Sequence, residues 1–168
     1  VSKVLSDQEA KIRNMENEGG IWVHEDGRAG WKTGALAKIE FTEKDVESIR
    51  GSVFTHNHPN NSPFSTDDVK FARTAELKEI RAVTPDGVTM RVYPNRLPGT
   101  WPGAEVGDIF DIVADSVRGD ITSQRLRAQT VSEKIDMVKE VWRRAAPRLG
   151  LVFEEHTREG EVRVSKNA

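Results

Sequence analysis

The chain has no cysteine. This absence excludes disulfide bonds and thiolate chemistry. No apolar run approaches the roughly 20 residues that a membrane-spanning helix needs, and no signal peptide is visible. We therefore expect a cytoplasmic protein without a membrane partner. The first residue is Val1 rather than methionine, which is typical of a processed product or of a domain cut from a longer chain.

Neither sign of charge is in excess. The chain has 25 Lys and Arg residues against 27 Asp and Glu residues, which gives a formal net charge of −2. No overall field therefore favours nucleic acid or an anionic membrane. Nucleic acid is not an expected partner. At 168 residues the chain is long enough to bury a real core, and one domain is the expected organisation.

The residues most suited to chemistry are concentrated between positions 51 and 69. His56 and His58 follow a β-type run and precede a proline, a polar loop and a helical pattern that contains Asp68. In an extended segment the two histidines point to the same side, and a loop that folds back can bring Asp68 beneath them. Two histidines and one carboxylate, with the fourth position left to water, form the open arrangement of catalytic zinc, whereas structural zinc usually has four cysteine-rich ligands. The pattern predicts a zinc site.

Each of these residues also has an ordinary structural interpretation. A bare His-x-His pair most often serves hydrogen bonding, and Ser65-x-x-Asp68 before a helix is also a capping box. The proline, serine and aspartate around His56 and His58 favour metal binding. The Asp68 carboxylate cannot bind zinc and accept the capping hydrogen bond at full strength at the same time. Of these two roles we favour that of a zinc ligand.

The His-x-His-Pro and Ser-x-x-Asp motifs resemble the signature of the JAB/MPN (JAMM) metallopeptidase-like family. The resemblance implies that His56, His58 and Asp68 are zinc ligands and that Ser65 helps to stabilise an oxyanion. It also implies an upstream glutamate as general base. Asp68 lies one residue closer to the second histidine than in the peptidase pattern. The short loop and the Pro63-Phe64-Ser65 sequence are more similar to phage-encoded and toxin-associated JAB-like domains than to eukaryotic deubiquitinases.

The glutamate implied by the resemblance is assigned to Glu18. It stands nine residues before Gly27, at the start of the first hairpin strand, which is similar to the position of the glutamate in JAB-like domains. Glu16 is the second candidate because it points to the same side of an extended segment. His24 is an alternative additional ligand, although a surface strand position is its ordinary interpretation.

The function implied by the resemblance is zinc-dependent hydrolysis of a peptide or isopeptide bond, with removal of ubiquitin-like modifiers as one form of that activity. The expected partner is a protein or peptide substrate. A second class stays open, namely a phage- or toxin-associated domain that binds zinc and a protein partner without turnover. A third is a DNA-related role, by analogy with the RadC proteins that carry the same His-Asn-His-Pro sequence.

The hydrophobic periodicity predicts an α/β (α+β) protein. The resemblance implies a curved mixed sheet flanked by helices, and the predicted element order is compatible with it. The predicted order over the first part of the chain is helix, strand, strand, helix, strand, helix, strand, strand. Ser6 and Glu9 have the form of a capping box for a first helix that ends near Asn14. Thr42 is predicted to cap a helix from Glu43 to about Arg50, and Gly51 is predicted to supply the left-handed residue that follows it.

The second part of the chain is predicted to hold two amphipathic helices and a hairpin. Proline and glycine interrupt the pattern over residues 94–104, and Pro147 with Gly150 is predicted to end the second helix. We expect a single domain over residues 1–168, with a catalytic core at about 15–93, a linker at 94–104 and a helical extension at 105–168. Two apolar stripes should pack this extension on the core through Ile109, Phe110, Val113, Ile135, Val138 and Trp142.

Overall fold

A computed structural model describes residues 2–34, 39–95, 100–123 and 130–165, with the backbone alone for residues 2 and 121–123. In these ranges five helices and seven strands follow one another in the predicted order. The helices are α1 (Ser2–Ile12), α2 (Glu43–Ile49), α3 (Thr66–Thr74), α4 (Glu105–Ser123) and α5 (Val131–Arg148). The strands are β1 (Gly19–Val23), β2 (Ala29–Thr33), β3 (Val53–Asn57), β4 (Glu79–Val83), β5 (Thr89–Pro94), β6 (Leu151–His156) and β7 (Val162–Val164).

The strands form one mixed sheet with the order β2-β1-β3-β4-β5-β6-β7. Among the described strands β3 and β4 pair in parallel, and the other neighbouring pairs are antiparallel. Helix α3 connects the parallel pair, as parallel neighbours require a crossover. The predicted mixed α/β architecture is confirmed. None of the helices in the described ranges has the length and apolar character needed to cross a bilayer.

The sheet has a hydrophobic cluster on each face. Alternate residues of β1 and β3 divide between the clusters: Trp22 and Phe54 belong to the larger one, and Ile21 and Val53 to the smaller one. The larger cluster packs against helices α2 to α5, and the smaller one packs against α1. Gly20 is needed on the larger-cluster face, because a Cβ atom there would lie 2.6 Å from the ring of Phe54.

The sequence signals around α2 are confirmed. Thr42 accepts a hydrogen bond from the backbone N–H of Asp45, and Asp45 accepts one from the N–H of Thr42, which completes a capping box. Gly51 follows the helix with a φ of +74°, a left-handed conformation that glycine adopts without strain.

The predicted capping box at Ser6 and Glu9 is wrong. Helix α1 begins at Ser2 and ends at Ile12, so that Ser6 lies inside it. The Glu9 carboxylate is buried and accepts hydrogen bonds from Thr55 Oγ1 at 2.9 Å and from Arg81 Nε at 2.6 Å. A carboxylate with a buried cationic partner is better placed in the middle of the helix than at an exposed helix end.

The chain after β5 adds two strands to the same sheet and two helices to the larger cluster. Strand β6 pairs with β5, and the predicted β6–β7 hairpin forms. Of the predicted stripe residues, Val113 and Trp142 are buried in the larger cluster, and Ile109, Phe110 and Val138 pack against it. Ile135 is half-buried and lies outside that cluster.

Two further expectations concern the ends of α4 and α5. Residues 100–103 form neither helix nor strand, as predicted, whereas positions 96–99 of the proposed linker lie outside the described residues. Pro147 does not end α5, because the helix continues to Arg148. Gly150, with a φ of +71°, follows it and leads into β6. The division into core, linker and extension stays a prediction.

Candidate functional site

The candidate site lies where β3 ends and α3 begins. His56 is the fourth residue of β3, and His58 follows the strand on the same side, so that their ring centroids are 4.5 Å apart. The loop after His58 returns beneath them and ends at Ser65, the N-cap of α3. Asp68 is in the first turn of this helix. The structure therefore brings together the three residues predicted to bind metal.

The three side chains form a group that could hold a metal ion, with one ligand atom from each lying within 4.8 Å of the others. His56 Nε2 is 3.3 Å from Asp68 Oδ1, and His58 Nε2 is 3.6 Å from Asp68 Oδ2. Two ligand atoms on a tetrahedral zinc ion are about 3.3 Å apart, given zinc–ligand distances of about 2.0–2.1 Å. The two histidine–carboxylate distances therefore suit such an ion. The two Nε2 atoms are 2.7 Å apart, which is the distance of a hydrogen bond in which one of them carries a proton.

Asp68 forms the capping box of α3 and also faces the two histidines. Its Oδ2 accepts a hydrogen bond from the Ser65 backbone N–H at 2.9 Å, and its own N–H donates to Ser65 Oγ at 3.2 Å. This is a complete capping box. Oδ1 faces His56. Because the cap uses one carboxylate oxygen, the other remains available as a ligand.

The environment of His58 favours ligand binding through its Nε2 atom. The Nδ1–H of His58 donates to the carbonyl of Ser62 at 2.8 Å, which leaves the lone pair on Nε2. Burial, together with the charge of His56, lowers the pKa of His58 to about 4. Burial also lowers the pKa of His56, but the charge and hydrogen bond of Asp68, together with the charge of Glu18 and the backbone of Arg81, outweigh it, and the net shift is upward. Burial raises the pKa of Asp68, but the attraction and hydrogen bond of His56, the attraction of His58 and the hydrogen bond from Ser65 together outweigh it, so that the pKa falls to about 2.

Glu18 lies beside this group, directly before β1. It lines a cavity of about 600 Å³ together with His58, Ser65 and Asp68. Burial raises the pKa of the Glu18 carboxyl, the charge of His56 lowers it, and the charge of Asp68 raises it, with a net upward shift. Glu16 is exposed and is not among the described residues that line the cavity. Of the two glutamates, Glu18 is the one at the site.

The same cavity has a polar and an apolar side. Ser65 is exposed on the polar side, and its Oγ, which accepts the N–H of Asp68, retains a proton that it can donate. The apolar side is formed by Ile39, Phe41, Phe54 and Phe71. The rings of Phe41 and Phe71 are stacked with centroids 4.6 Å apart. The cavity can thus hold a polar reacting group beside an apolar one.

His24 is not part of the site. It follows the opposite end of β1 from Glu18, and its Nε2 lies 2.7 Å from the carbonyl oxygen of Ser48, to which it donates. The group of side chains among the described residues that could hold a metal ion contains His56, His58 and Asp68 without His24. The alternative of His24 as an additional ligand is therefore wrong.

Asn57 is a residue whose importance the sequence analysis missed. Its side chain is fully buried and makes three hydrogen bonds to backbone atoms close to Glu18. The His-Asn-His motif already contained a signal for this. Side chains alternate along a strand, so that a residue between two histidines on one face points to the opposite face. A buried amide on that face must find partners.

Comparison of the chain with protein-family models, with curated proteins and with solved structures gives no match. The site's residues and their geometry are therefore the basis for assigning a function.

Proposed function

We propose that this protein is a zinc-dependent hydrolase of peptide or isopeptide bonds of the JAB/MPN type. The observation that carries the proposal is the convergence of His56, His58 and Asp68 beside a half-buried carboxylate, that of Glu18. Two histidines, one carboxylate and an open position are typical of catalytic zinc. The zinc identity and the family assignment rest on this chemistry and on the His-x-His-Pro and Ser-x-x-Asp motifs.

Zinc bound by the three ligands would lower the pKa of water in its open position to about 7 and polarise a substrate carbonyl. Glu18 takes a proton from the attacking water as a new C–O bond forms, and its raised pKa suits a group that must hold this proton. Glu18 then gives the proton to the leaving nitrogen as the C–N bond breaks. The Ser65 hydroxyl donates a hydrogen bond to the oxyanion that develops in between.

The cavity supports a peptide-like substrate. Its polar side holds the proposed reacting groups, and its aromatic side can bury an apolar part of the substrate next to the bond that is cut. Removal of a ubiquitin-like modifier is one version of this activity. The short loop between His58 and Asp68 favours a relation to phage-encoded or toxin-associated members of the resembled family.

The test is a cleavage assay on the purified protein after removal and restoration of zinc. A diverse peptide mixture and a lysine-linked isopeptide serve as probes, with products identified by mass spectrometry. Cleavage that disappears with the chelator and returns with zinc supports the proposal. Binding of peptides without cleavage by the zinc-loaded protein would instead favour the alternative of a zinc-containing protein-interaction domain.

A further inference from the structure

The segment that carries Glu18 is attached to β3 through the side chain of Asn57. Asn57 Nδ2 donates to the carbonyls of Met15 and Asn17, both at 3.0 Å, and Oδ1 accepts from the N–H of Gly19 at 2.6 Å. These partners lie on both sides of Glu18 in the chain. One buried amide group therefore fixes the backbone before and after the proposed general base.

The location of Asn57 connects this attachment to the metal ligands. Asn57 stands between His56 and His58, and its side chain points to the face of the sheet opposite to theirs. Any displacement of this part of β3 therefore moves the ligands and the Glu18 segment together. The carbonyl of Glu18 accepts a hydrogen bond from the N–H of Gly34 at 2.9 Å, which holds the segment from the other side.

We propose that Asn57 is the positioning residue that sets the place of the Glu18 carboxylate relative to His56, His58 and Asp68. This inference rests on the proposed function. Asn57 does not touch a substrate or a metal, and its effect is exerted through the backbone of the Met15–Gly19 segment. A displacement of a reacting group by about 1 Å can cost about 10²-fold in rate, so that a rigid attachment of the base is important for turnover.

The chain offers a matched control in Thr55. It is buried on the same face of β3, and its hydroxyl donates to Glu9 of α1 rather than to the Glu18 segment. Asn57→Ala and Thr55→Val both remove buried hydrogen bonds from this face. Asn57→Ala alone releases the backbone around Glu18. Asn57→Asp, which keeps the shape and loses both donated bonds, replaces Asn57→Ala if that variant does not fold.

The first measurement does not depend on activity. Hydrogen exchange of the Gly19 amide should become at least about tenfold faster in Asn57→Ala and stay unchanged in Thr55→Val, because exchange requires loss of the protecting hydrogen bond. A crystal structure of the Asn57 variant, Asn57→Asp included, should show a displaced Glu18 carboxylate with the metal ligands in place. An unmoved Glu18 carboxylate would overturn the inference, whether or not the protein is an enzyme.

The second measurement uses a substrate identified in the cleavage assay. Asn57→Ala should lower kcat by about 10²-fold with little change in KM, while zinc content stays at the wild-type value. In a Glu18→Gln background, Asn57→Ala should lower kcat almost no further, because the carboxylate that Asn57 positions has already been removed. A full additional loss in that background would mean that Asn57 does not act through Glu18. If the wild type cleaves no probe, the proposed function fails, and the exchange and crystal measurements still decide where Asn57 holds Glu18.

Discussion

The indole N–H of Trp142 donates a hydrogen bond to the backbone carbonyl of Phe64 at 2.7 Å. Trp142 is in α5 and is fully buried, whereas Phe64 directly precedes the Ser65 cap at the candidate site. This bond connects the C-terminal helices with the loop that brings Asp68 under the histidines. The part of the chain after β5 therefore supports the candidate site without supplying any of the three side chains that could hold a metal ion.

Replacement of Trp142 by phenylalanine should destabilise the protein and weaken its metal site. The carbonyl of Phe64 would lose its buried donor, which costs about 1–3 kcal/mol. Trp101→Phe is the control, because Trp101 makes an equivalent 2.7 Å bond to the carbonyl of Leu77. Denaturant unfolding should show a similar decrease in the free energy of unfolding in both variants. Zinc titration should show weaker zinc binding in Trp142→Phe alone. Equal zinc affinity in the two variants would contradict the proposed connection.

Removal of any one ligand should abolish stoichiometric zinc binding. We expect one zinc per chain in the wild type and none in His56→Ala, His58→Ala or Asp68→Asn, because two remaining ligands hold the ion too weakly. Elemental analysis and thermal unfolding check this, with a stabilisation of at most about 2.7 kcal/mol when free zinc exceeds the dissociation constant a hundredfold. Asp67→Asn and His24→Ala are controls that should keep the metal. Retention of zinc in Asp68→Asn would show that Asp68 serves the helix cap alone.

Replacement of Glu18 by glutamine should separate catalysis from metal binding. Glutamine keeps the size of the side chain but cannot accept the proton from water, so that hydrolysis should fall by about 10²–10⁴-fold. Zinc content and melting temperature should stay close to those of the wild type. Glu16→Gln is the matched control and should cleave at the normal rate, since Glu16 is exposed and away from the cavity. A reversal of these two results would assign the base to Glu16.

Replacement of Ser65 by alanine should affect both stability and turnover. Loss of an N-cap costs about 0.5–2 kcal/mol, and loss of one oxyanion donor lowers kcat by about 10²–10³-fold. Thr42→Ala removes the corresponding capping side chain from α2. It should reduce stability by a similar amount and leave kcat unchanged. If both variants turn over normally, Ser65 is a helix cap without a catalytic role.

The chain's one tyrosine gives a direct test of a side-chain contact between β5 and β6. Burial, together with the hydrogen bond that Tyr93 donates to Glu154, raises the pKa of Tyr93 to about 12, above the usual tyrosine value of about 10. Because the pKa of Tyr93 is higher in the folded than in the unfolded state, its contribution to the free energy of unfolding is complete below about pH 10. That contribution is lost as the pH rises through about 12. The absorbance of tyrosinate, measured as the pH is raised, should therefore have its midpoint near the folded-state pKa. Titration near pH 10 in the folded protein would contradict the Tyr93–Glu154 bond.

Local signals in the sequence were sufficient for the order of the elements and for the convergence of His56, His58 and Asp68. Strand alternation placed His56 and His58 on one side, and the Ser65 cap placed Asp68 in the first turn of α3, because both rules act over a few residues. The start of α1 was predicted wrongly because Glu9 is held by Thr55 and Arg81, which are distant in sequence. The role of Asn57 was missed for the same reason, since its partners precede it by about forty positions.

The three proposed ligands all come from the continuous stretch between His56 and Asp68. In an unfolded chain they therefore stay at a high effective local concentration, because closing a short loop carries a small entropic cost. Zinc should then bind the denatured chain as well, and it should stabilise the native state by less than its affinity for that state alone would give. Refolding in the presence of zinc can begin from this stretch, before the sheet around it has assembled.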